Sequence, residues 1–273
     1  MSTQSDRPVI LVTGASSGLG RAIATGLAQS HGQVFGTSRR LDANTSTVTM
    51  LAMDVDDDHS VNDALQKLVA QSGRIDVVIN NAGFGIAGAI EDTTADEATA
   101  QLATNFIGTH RVCRAVLPLM RAQGGGRIIN VSSLAGLIPL PFQAFYSASK
   151  FAVEAYSEAL RIEAKPYRIH VSLVEPGDYA TGFTASRRLT ATTTPDSPYY
   201  ARVSRAVAIM ARDEQANPDL EPVVRTIRRI LDAPRPRLRY PTANAMQRTL
   251  VALKPFLPAA LVEKLLTDTY NAG

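Results

Sequence analysis

Short apolar runs alternate with stretches of helical period along most of this chain, and that alternation leaves few folds open. "VILV" (Val9–Val12), "QVFGTSRR" (33–40), "TVTMLAMDV" (47–55), "IDVVINNAG" (75–83), "RIINVSSLAG" (127–136) and "RIHVSLVEPG" (168–177) each have the length of a buried strand. Between them lie "GLGRAIATGLAQSHG" (18–32), "DDHSVNDALQKLVAQSGR" (57–74), "TADEATAQLATNFIGTHRVCRAVLPLMRAQGGG" (94–126) and "AFYSASKFAVEAYSEALRIEAK" (144–165), with apolar residues at helical spacing. Apolar runs of this kind separated by helices predict a parallel sheet covered on both faces: a doubly wound α/β (Rossmann) fold of three layers. The third helical stretch reads as one long helix ending at three glycines.

No break in the pattern divides the chain, so residues 1–273 are read as one domain. Residues 8–181 form the core, and 182–273 a substrate loop and C-terminal helices that cover the site. "LTATTTPDSPYY" (189–200) reads as a polar loop and "RLRYP" (237–241) as a closing strand. The net charge of +3 is too small to point to nucleic acid. In "VVRTIRRILDAPRPRLRY" (223–240), Arg225, Arg228 and Arg229 are expected on a solvated face opposite Val224, Ile227 and Leu231. No apolar stretch is long enough to predict a membrane span, and the first residues do not read as a secretory signal. The single cysteine, Cys113, sits in a helical pattern and reads as core filler; a reducing cytoplasmic setting is the expectation. No histidine or cysteine group has metal-ligand spacing, and no metal is expected.

"TGASSGLG" (13–20) follows a strand and opens a helix. Gly14, Gly18 and Gly20 let the backbone turn sharply, and the helix N-terminus beyond them offers free N–H groups to a phosphate. That context predicts dinucleotide binding. The second strand ends in Ser38, Arg39 and Arg40 with no carboxylate. A guanidinium there suits a 2′-phosphate, so NADP(H) is expected over NAD(H).

The chain resembles the short-chain dehydrogenase/reductase family, in its compact single-domain subgroup. "TGASSGLG", "NNAG" (80–83), Ser133 with "YSASK" (146–150), and Pro176 with Gly177 carry the resemblance in the expected order. The stretches "NNAGFGIAGAIEDT" and "FYSASKFAVEAYSEALRIE" resemble the steroid- and retinol-converting branch. The resemblance implies a pyrophosphate and ribose cradle at Gly14, Ser16, Ser17, Gly18, Leu19 and Gly20, with Ser38 and Arg39 at the 2′-phosphate. Asp54 and Val55 would hold the adenine, and Asn81, Ala82 and Gly83 would border the ribose. Pro176, Gly177, the backbone of Tyr179 and the hydroxyl of Thr181 would meet the nicotinamide; the family usually has a small branched residue where Tyr179 stands.

The same resemblance assigns catalysis to Ser133, Tyr146, Lys150 and Asn105. Tyr146 and Lys150 are one helical turn apart and share a face. A free phenol, with a pKa of about 10, is a poor base at neutral pH, and a neighbouring ammonium is expected to lower that value. Tyr146 would then pass a proton to a carbonyl oxygen or take one from an alcohol, and Ser133 would hold the reacting oxygen. Lys150 would also bond the nicotinamide ribose, and Asn105 would hold a water linked to the lysine.

Leu134, Leu137, Ile138, Leu140, Phe142 and Phe183 are the candidates for the substrate wall, with Leu134, Leu140, Phe142 and Phe183 foremost. No charged residue lies between Ser133 and Tyr146, so an apolar ketone or secondary alcohol is the expected substrate. Two other readings stay open: an epimerase or dehydratase using the cofactor transiently, and a non-catalytic NADP(H) sensor. Apolar faces on the helices around 98–120 and 145–165 suggest a homodimer or homotetramer.

Overall fold

A computed structural model describes residues 7–41, 47–181 and 187–270. Seven strands form one sheet: β1 (Val9–Val12), β2 (Gln33–Ser38), β3 (Thr49–Ala52), β4 (Val77–Asn80), β6 (Gly126–Val131), β7 (Ile169–Pro176) and β9 (Arg239–Thr242). Their order is β3-β2-β1-β4-β6-β7-β9, and every pairing is parallel. Six fall on the apolar runs read from the sequence, and β9 on the closing strand read at 237–241. β5 (Ile86–Ala87) and β8 (Arg188–Leu189) make a separate two-stranded pairing, which the sequence did not announce.

The period-2 alternation of each strand builds two cores. Val9 and Leu11 face one side with Phe35, Val78 and Ile128, under α2 (Asp58–Ser72), α4 (Gly108–Ala122) and α5 (Ala144–Ala164). Ile10 and Val12 face the other side with Val34, Ile79 and Ile129, under α1 (Gly18–Ser30) and α7 (Glu221–Asp232). This is the three-layer Rossmann arrangement expected. Cys113 is fully buried in the first core, and burial pushes its thiol up to about 12. On α7, Arg225 and Arg229 are exposed as read, but Arg228 is not simply solvated. It donates to Glu221 at 2.7 Å and to the Gly26 carbonyl at 3.1 Å, because α7 packs across α1.

The sheet reverses direction of winding between β1 and β4. Ligands of such sheets bind beyond the carboxyl ends of the strands at that switch point. The single long helix expected over 94–126 is instead α3 (Ala95–Leu102), a π-turn (Ala103–Ile107) and α4. Thr94 and Glu97 close a capping box at its start. The remaining helices are α6 (Tyr200–Gln215), α8 (Ala245–Leu253) and α9 (Ala259–Tyr270). No helix of the described residues is long and apolar enough to cross a membrane.

A buried polar ladder joins the central strands to α5. Asn80 Nδ2 donates to Asn130 Oδ1 at 2.9 Å, Asn130 Nδ2 to Ser157 Oγ at 2.8 Å, and Ser157 Oγ to the Val153 carbonyl at 2.7 Å. Asn80 therefore serves the fold, while the rest of "NNAG" faces the crevice. Replacing Asn130 by alanine strands polar groups on both neighbours. We expect a stability loss of about 2 kcal/mol or more in urea unfolding; an unchanged midpoint would remove the ladder from the folding energetics.

Candidate active site

The turn after β1 holds its shape through contacts that no side chain could share. Gly14 and Gly18 have φ of 66° and 52°. A Cβ on Gly20 would stand 2.1 Å from the Gly14 carbonyl oxygen, and one on Gly14 would stand 2.9 Å from Ala82 Cα. The Thr13 hydroxyl accepts the amide N–H of Asn81 at 2.9 Å and of Ala82 at 3.0 Å. Asn81 Nδ2 donates back to the carbonyls of Thr13 at 3.0 Å and Gly14 at 3.3 Å. The two predicted cofactor motifs are thus stitched into one wall.

Ser17 is the N-cap of α1, yet its hydroxyl makes no capping bond, and no acidic residue occupies the first turn. The helix end keeps its N–H donors and positive potential for an anion. Ser16, Ser17, Gly18 and Leu19 all border that end. These features fit a dinucleotide pyrophosphate.

Ser38 closes β2, and Arg39 and Arg40 follow it, exposed. Among the described residues neither arginine makes an ion pair. Asp54 and Val55 follow β3 as expected. The Asp54 amide donates to Ser60 Oγ at 2.8 Å, and the Val55 carbonyl accepts from Arg111 at 3.1 Å. Both residues are therefore held by α2 and α4.

Ser133, Tyr146 and Lys150 come together at the ends of β6 and β7. Ser133 leaves β6 and opens a short 3-10 turn, Leu134–Gly136. Its hydroxyl accepts the Ala135 N–H at 3.1 Å, donates to the Pro176 carbonyl at 3.4 Å, and hydrogen-bonds the Tyr146 phenol. Lys150 Nζ lies 5.9 Å from the Tyr146 ring centre and donates to the Val131 carbonyl at 2.9 Å.

Burial pushes the Tyr146 phenol up to about 12. The Ser133 bond and Arg187 oppose that push, while Glu214 and Asp178 add to it. Burial pulls the Lys150 ammonium down to about 8, against Glu154, which supports it. Lys150 Nζ is turned to the Val131 carbonyl, and in the protein alone burial outweighs the lowering of the phenol expected from the ammonium.

Asn105 sits in the π-turn, and the extra residue of that turn swings its amide inward. Oδ1 accepts the Phe84 N–H at 3.0 Å, and Nδ2 donates to the Phe84 carbonyl at 3.0 Å and to Ser149 Oγ at 3.1 Å. Ser149 in turn donates to the Tyr146 carbonyl at 2.7 Å. A Cβ on Gly83 would meet Asn105 Oδ1 at 2.9 Å. The Asn105 amide thus clamps the loop after "NNAG" to α5, a role the sequence did not indicate.

At the end of β7, Gly177 N–H donates to the Thr242 carbonyl at 3.0 Å. Tyr179, 7% exposed, packs its ring into the second core. The aromatic residue is therefore a core residue, and its backbone is what faces the crevice end of β7. Thr181 is the last described residue before the 182–186 gap, and Phe183 lies outside the described residues.

Leu134 and Leu140 are half-buried, and Ile138 is buried. Phe142 is half-buried and held at φ 60°, with its carbonyl accepting the Gly88 N–H at 2.9 Å. A bulky residue in that region costs about 1–3 kcal/mol, so the local contacts fix this corner firmly.

Sequence reading missed a charged group near the phenol. Arg187 and Glu214 form a buried ion pair, with side chains 3% and 11% exposed. Together with Asp178 they set part of the potential at Tyr146. Asp178 is bonded by Gln247 of α8, and its carboxyl is pushed up by burial. Tyr270 of α9 is influenced by the same carboxylates. An exclusively apolar mouth, as expected from residues 134–145, is therefore incomplete. These groups lie far apart in sequence, and only the fold gathers them.

The family model described as short chain dehydrogenase matches residues 8–192. A 3-ketodihydrosphingosine reductase of Bacteroides thetaiotaomicron is 40% identical over 262 residues, covering 96% of this chain and 97% of that protein. Human 17-beta-hydroxysteroid dehydrogenase type 1 is 32% identical over 258 residues, covering 87% and 78%. The crystal structure of a short-chain dehydrogenase from Streptomyces avermitilis superposes with a TM-score of 0.79 at 31% identity, covering 96% of each chain.

Gly14→Ala tests the cradle directly. Its Cβ would collide with Ala82 in a backbone region that alanine disfavours. A strain of a few kcal/mol predicts NADPH binding weaker by about tenfold or more. Fluorescence titration of NADPH is the measurement, and unchanged affinity would take the turn out of the binding site.

Proposed function

The chain belongs to the short-chain dehydrogenase family, in its steroid-dehydrogenase-like branch, and on that premise we propose that this oxidoreductase is an NADP(H)-dependent reductase of a largely apolar ketone. The observation that carries this reading is the Ser133 hydroxyl bonded to the Tyr146 phenol, with Lys150 buried beside them at the ends of β6 and β7. NADPH, when bound, would supply the hydride to the carbonyl carbon. Ser133 would donate to the carbonyl oxygen and fix its position. Tyr146 would deliver the proton that turns the developing alkoxide into an alcohol. Lys150 would bond the nicotinamide ribose, and its charge would favour the phenolate that remains.

The high pKa of the free phenol supports reduction over oxidation. A group that stays protonated up to about pH 12 is a ready acid at neutral pH. Oxidation would need the phenolate, so it should be slow at neutral pH and quicken as pH rises. Reduction should hold from mild acid to about pH 8 and fall above it as Lys150 loses its proton. A pH series of initial rates in both directions checks this; a reduction rate that climbs above pH 8 would contradict it.

The substrate reading combines the half-buried apolar wall of Leu134, Leu140 and Phe142 with the charged group of Asp178, Arg187 and Glu214. It favours a ketone with an extended apolar part and a polar substituent near the carbonyl. The relative named a 3-ketodihydrosphingosine reductase supports the reducing direction and makes that ketone the first to assay. Arg39 favours the 2′-phosphate by direct pairing. Arg39→Asp should lower the preference for NADPH over NADH by about tenfold or more.

Tyr146→Phe keeps the ring and removes the acid. Turnover should fall by about 100-fold or more while NADPH binding persists. Retained turnover would sink the assignment, and no turnover by the native protein on any ketone would leave the sensor reading. We also propose assembly through the outer faces of α4 and α5, where His110, Leu117, Tyr156 and Ala159 line a groove. Light scattering is expected to give a dimer or tetramer mass, and a monomer mass would exclude it.

A further inference from the structure

Beneath Lys150 lie two carboxylates that the proposed reaction does not use. Glu154 follows Lys150 by one turn of α5, and Glu175 is the residue before Pro176 on β7; they are 4% and 1% exposed. Arg239 of β9 reaches both. Its Nη2 is 3.0 Å and its Nε 3.1 Å from Glu154 Oε2, and Nε is 3.2 Å from Glu175 Oε1. Arg239 also pairs with Glu158 at the rim, whose side chain is 52% exposed. Lys150 and Arg239 thus face the carboxyl groups of Glu154 and Glu175.

The cluster touches each support of the reacting groups. Burial pushes the Glu154 carboxyl up, and the hydroxyl of Ser132, the neighbour of Ser133, opposes that push. Neither Ser132 Oγ nor Glu154 Oε1 makes a well-formed hydrogen bond among the described residues. A Cβ on Gly136 would stand 2.8 Å from Ser132 Oγ, 3.0 Å from the Lys150 carbonyl oxygen and 3.1 Å from Glu154 Cγ. The turn behind Ser133 is thus pressed onto Lys150 and Glu154 together. From β7, the residue after Glu175 supplies the carbonyl that the Ser133 hydroxyl meets at 3.4 Å.

We propose that Glu154, held by Arg239 and Glu175, is a positioning residue: its carboxylate is the buried counter-charge that keeps Lys150 an ammonium, and its contact with Ser132 seats the strand end presenting Ser133. This rests on reading Ser133, Tyr146 and Lys150 as the reacting site. The groups facing Lys150 and Glu154 are Glu158 from α5, Glu175 from β7, Arg239 from β9 and Ser132 from the end of β6. Among them Glu154 is the charge that supports the Lys150 ammonium against burial. Glu175, pushed up to about 8 chiefly by burial and then by Glu154, is largely neutral at pH 7. Glu154, paired with Arg239 at 3.0 Å, is therefore the carboxylate that stands under the lysine. A merely structural Glu154 would tie α5 to β9 and affect stability alone.

The test is the pH dependence, from 6 to 10, of kcat for ketone reduction and, in parallel, of NADPH affinity. Removing the negative charge leaves burial unopposed, so Lys150 loses its proton at lower pH. Glu154→Gln should move the alkaline limb of both profiles acidward by about one pH unit. Ser132→Ala should move it the same way by less, and Glu154→Asp should restore it toward the native position. Glu158→Gln, at the exposed rim, should leave it in place. Should Glu154→Gln not fold, Ser132→Ala and Glu154→Asp still carry the comparison. Profiles that superimpose on the native one, with only the melting temperature changed, would overturn the proposal. A native protein that reduces no ketone defeats the reaction reading instead; the NADPH-affinity profile then decides this one.

Discussion

A primary amine buried to 7% exposure is the constraint around which the rest of this site is arranged. An unpaired ammonium inside a protein costs several kcal/mol, so the surrounding structure must answer it. The Val131 carbonyl does so at 2.9 Å, at the last residue of β6. That bond ties α5 to the strand end. Tyr146, one turn before, is then carried to the place where Ser133 leaves the same strand. Lysine, phenol and serine hydroxyl are therefore one consequence of docking a helix onto a strand end, with the backbone doing the alignment.

The same docking is secured from the other side by Asn105. An unbroken helix over 95–122 would carry that amide round to another face. The π-turn adds one residue per turn locally and swings it into the wall. There it holds the backbone of Phe84 by both amide atoms and reaches Ser149. Since Ser149 bonds the Tyr146 carbonyl, a polar spine runs from the loop after β4 to the helix that bears the phenol. Gly83 is required for this, because any Cβ would occupy the position of Asn105 Oδ1. A loss of helix regularity is exchanged for a fixed distance between the cofactor wall and the reacting side chains.

What could be read in the sequence follows from how far apart the cooperating residues are. The strands and the glycine turn were legible because their signals are local: period-2 apolar runs, and a strand, three glycines and a helix in succession. Ser133, Tyr146 and Lys150 were legible because they fall within one strand–turn–helix unit. The π-turn was not, since "LATNFIG" keeps helical spacing on either side and nothing local marks one inserted residue. Nor was the group of Asp178, Arg187 and Glu214, which joins the connection after β7 to α6. Glu175 did leave a trace: a carboxylate in the apolar run "RIHVSLVEPG" must either end the strand or be answered inside, and Arg239 answers it. Tyr179 left the opposite trace, an aromatic ring where the resemblance expects a small residue, and the ring is taken up by the core.

The C-terminal helices are built on a different principle from the sheet. α8 and α9 contain no buried residue, whereas α1, α4, α5 and α7 each bury a continuous stripe. The bonds that tie them down are polar: Gln247 to the Asp178 carboxylate, and Lys254, just beyond α8, to the Leu137 carbonyl. Segments with little buried apolar area open at a small fraction of the global unfolding free energy. These tethers end on Asp178, just after β7, and on Leu137, in the turn behind Ser133. Rearranging α8 and α9 therefore changes the surroundings of that crevice while leaving Lys150, Tyr146 and Ser133 where the sheet puts them. On the proposed function, proton transfer would belong to the rigid layer and selection to the loosely held one, and the two would meet at Asp178.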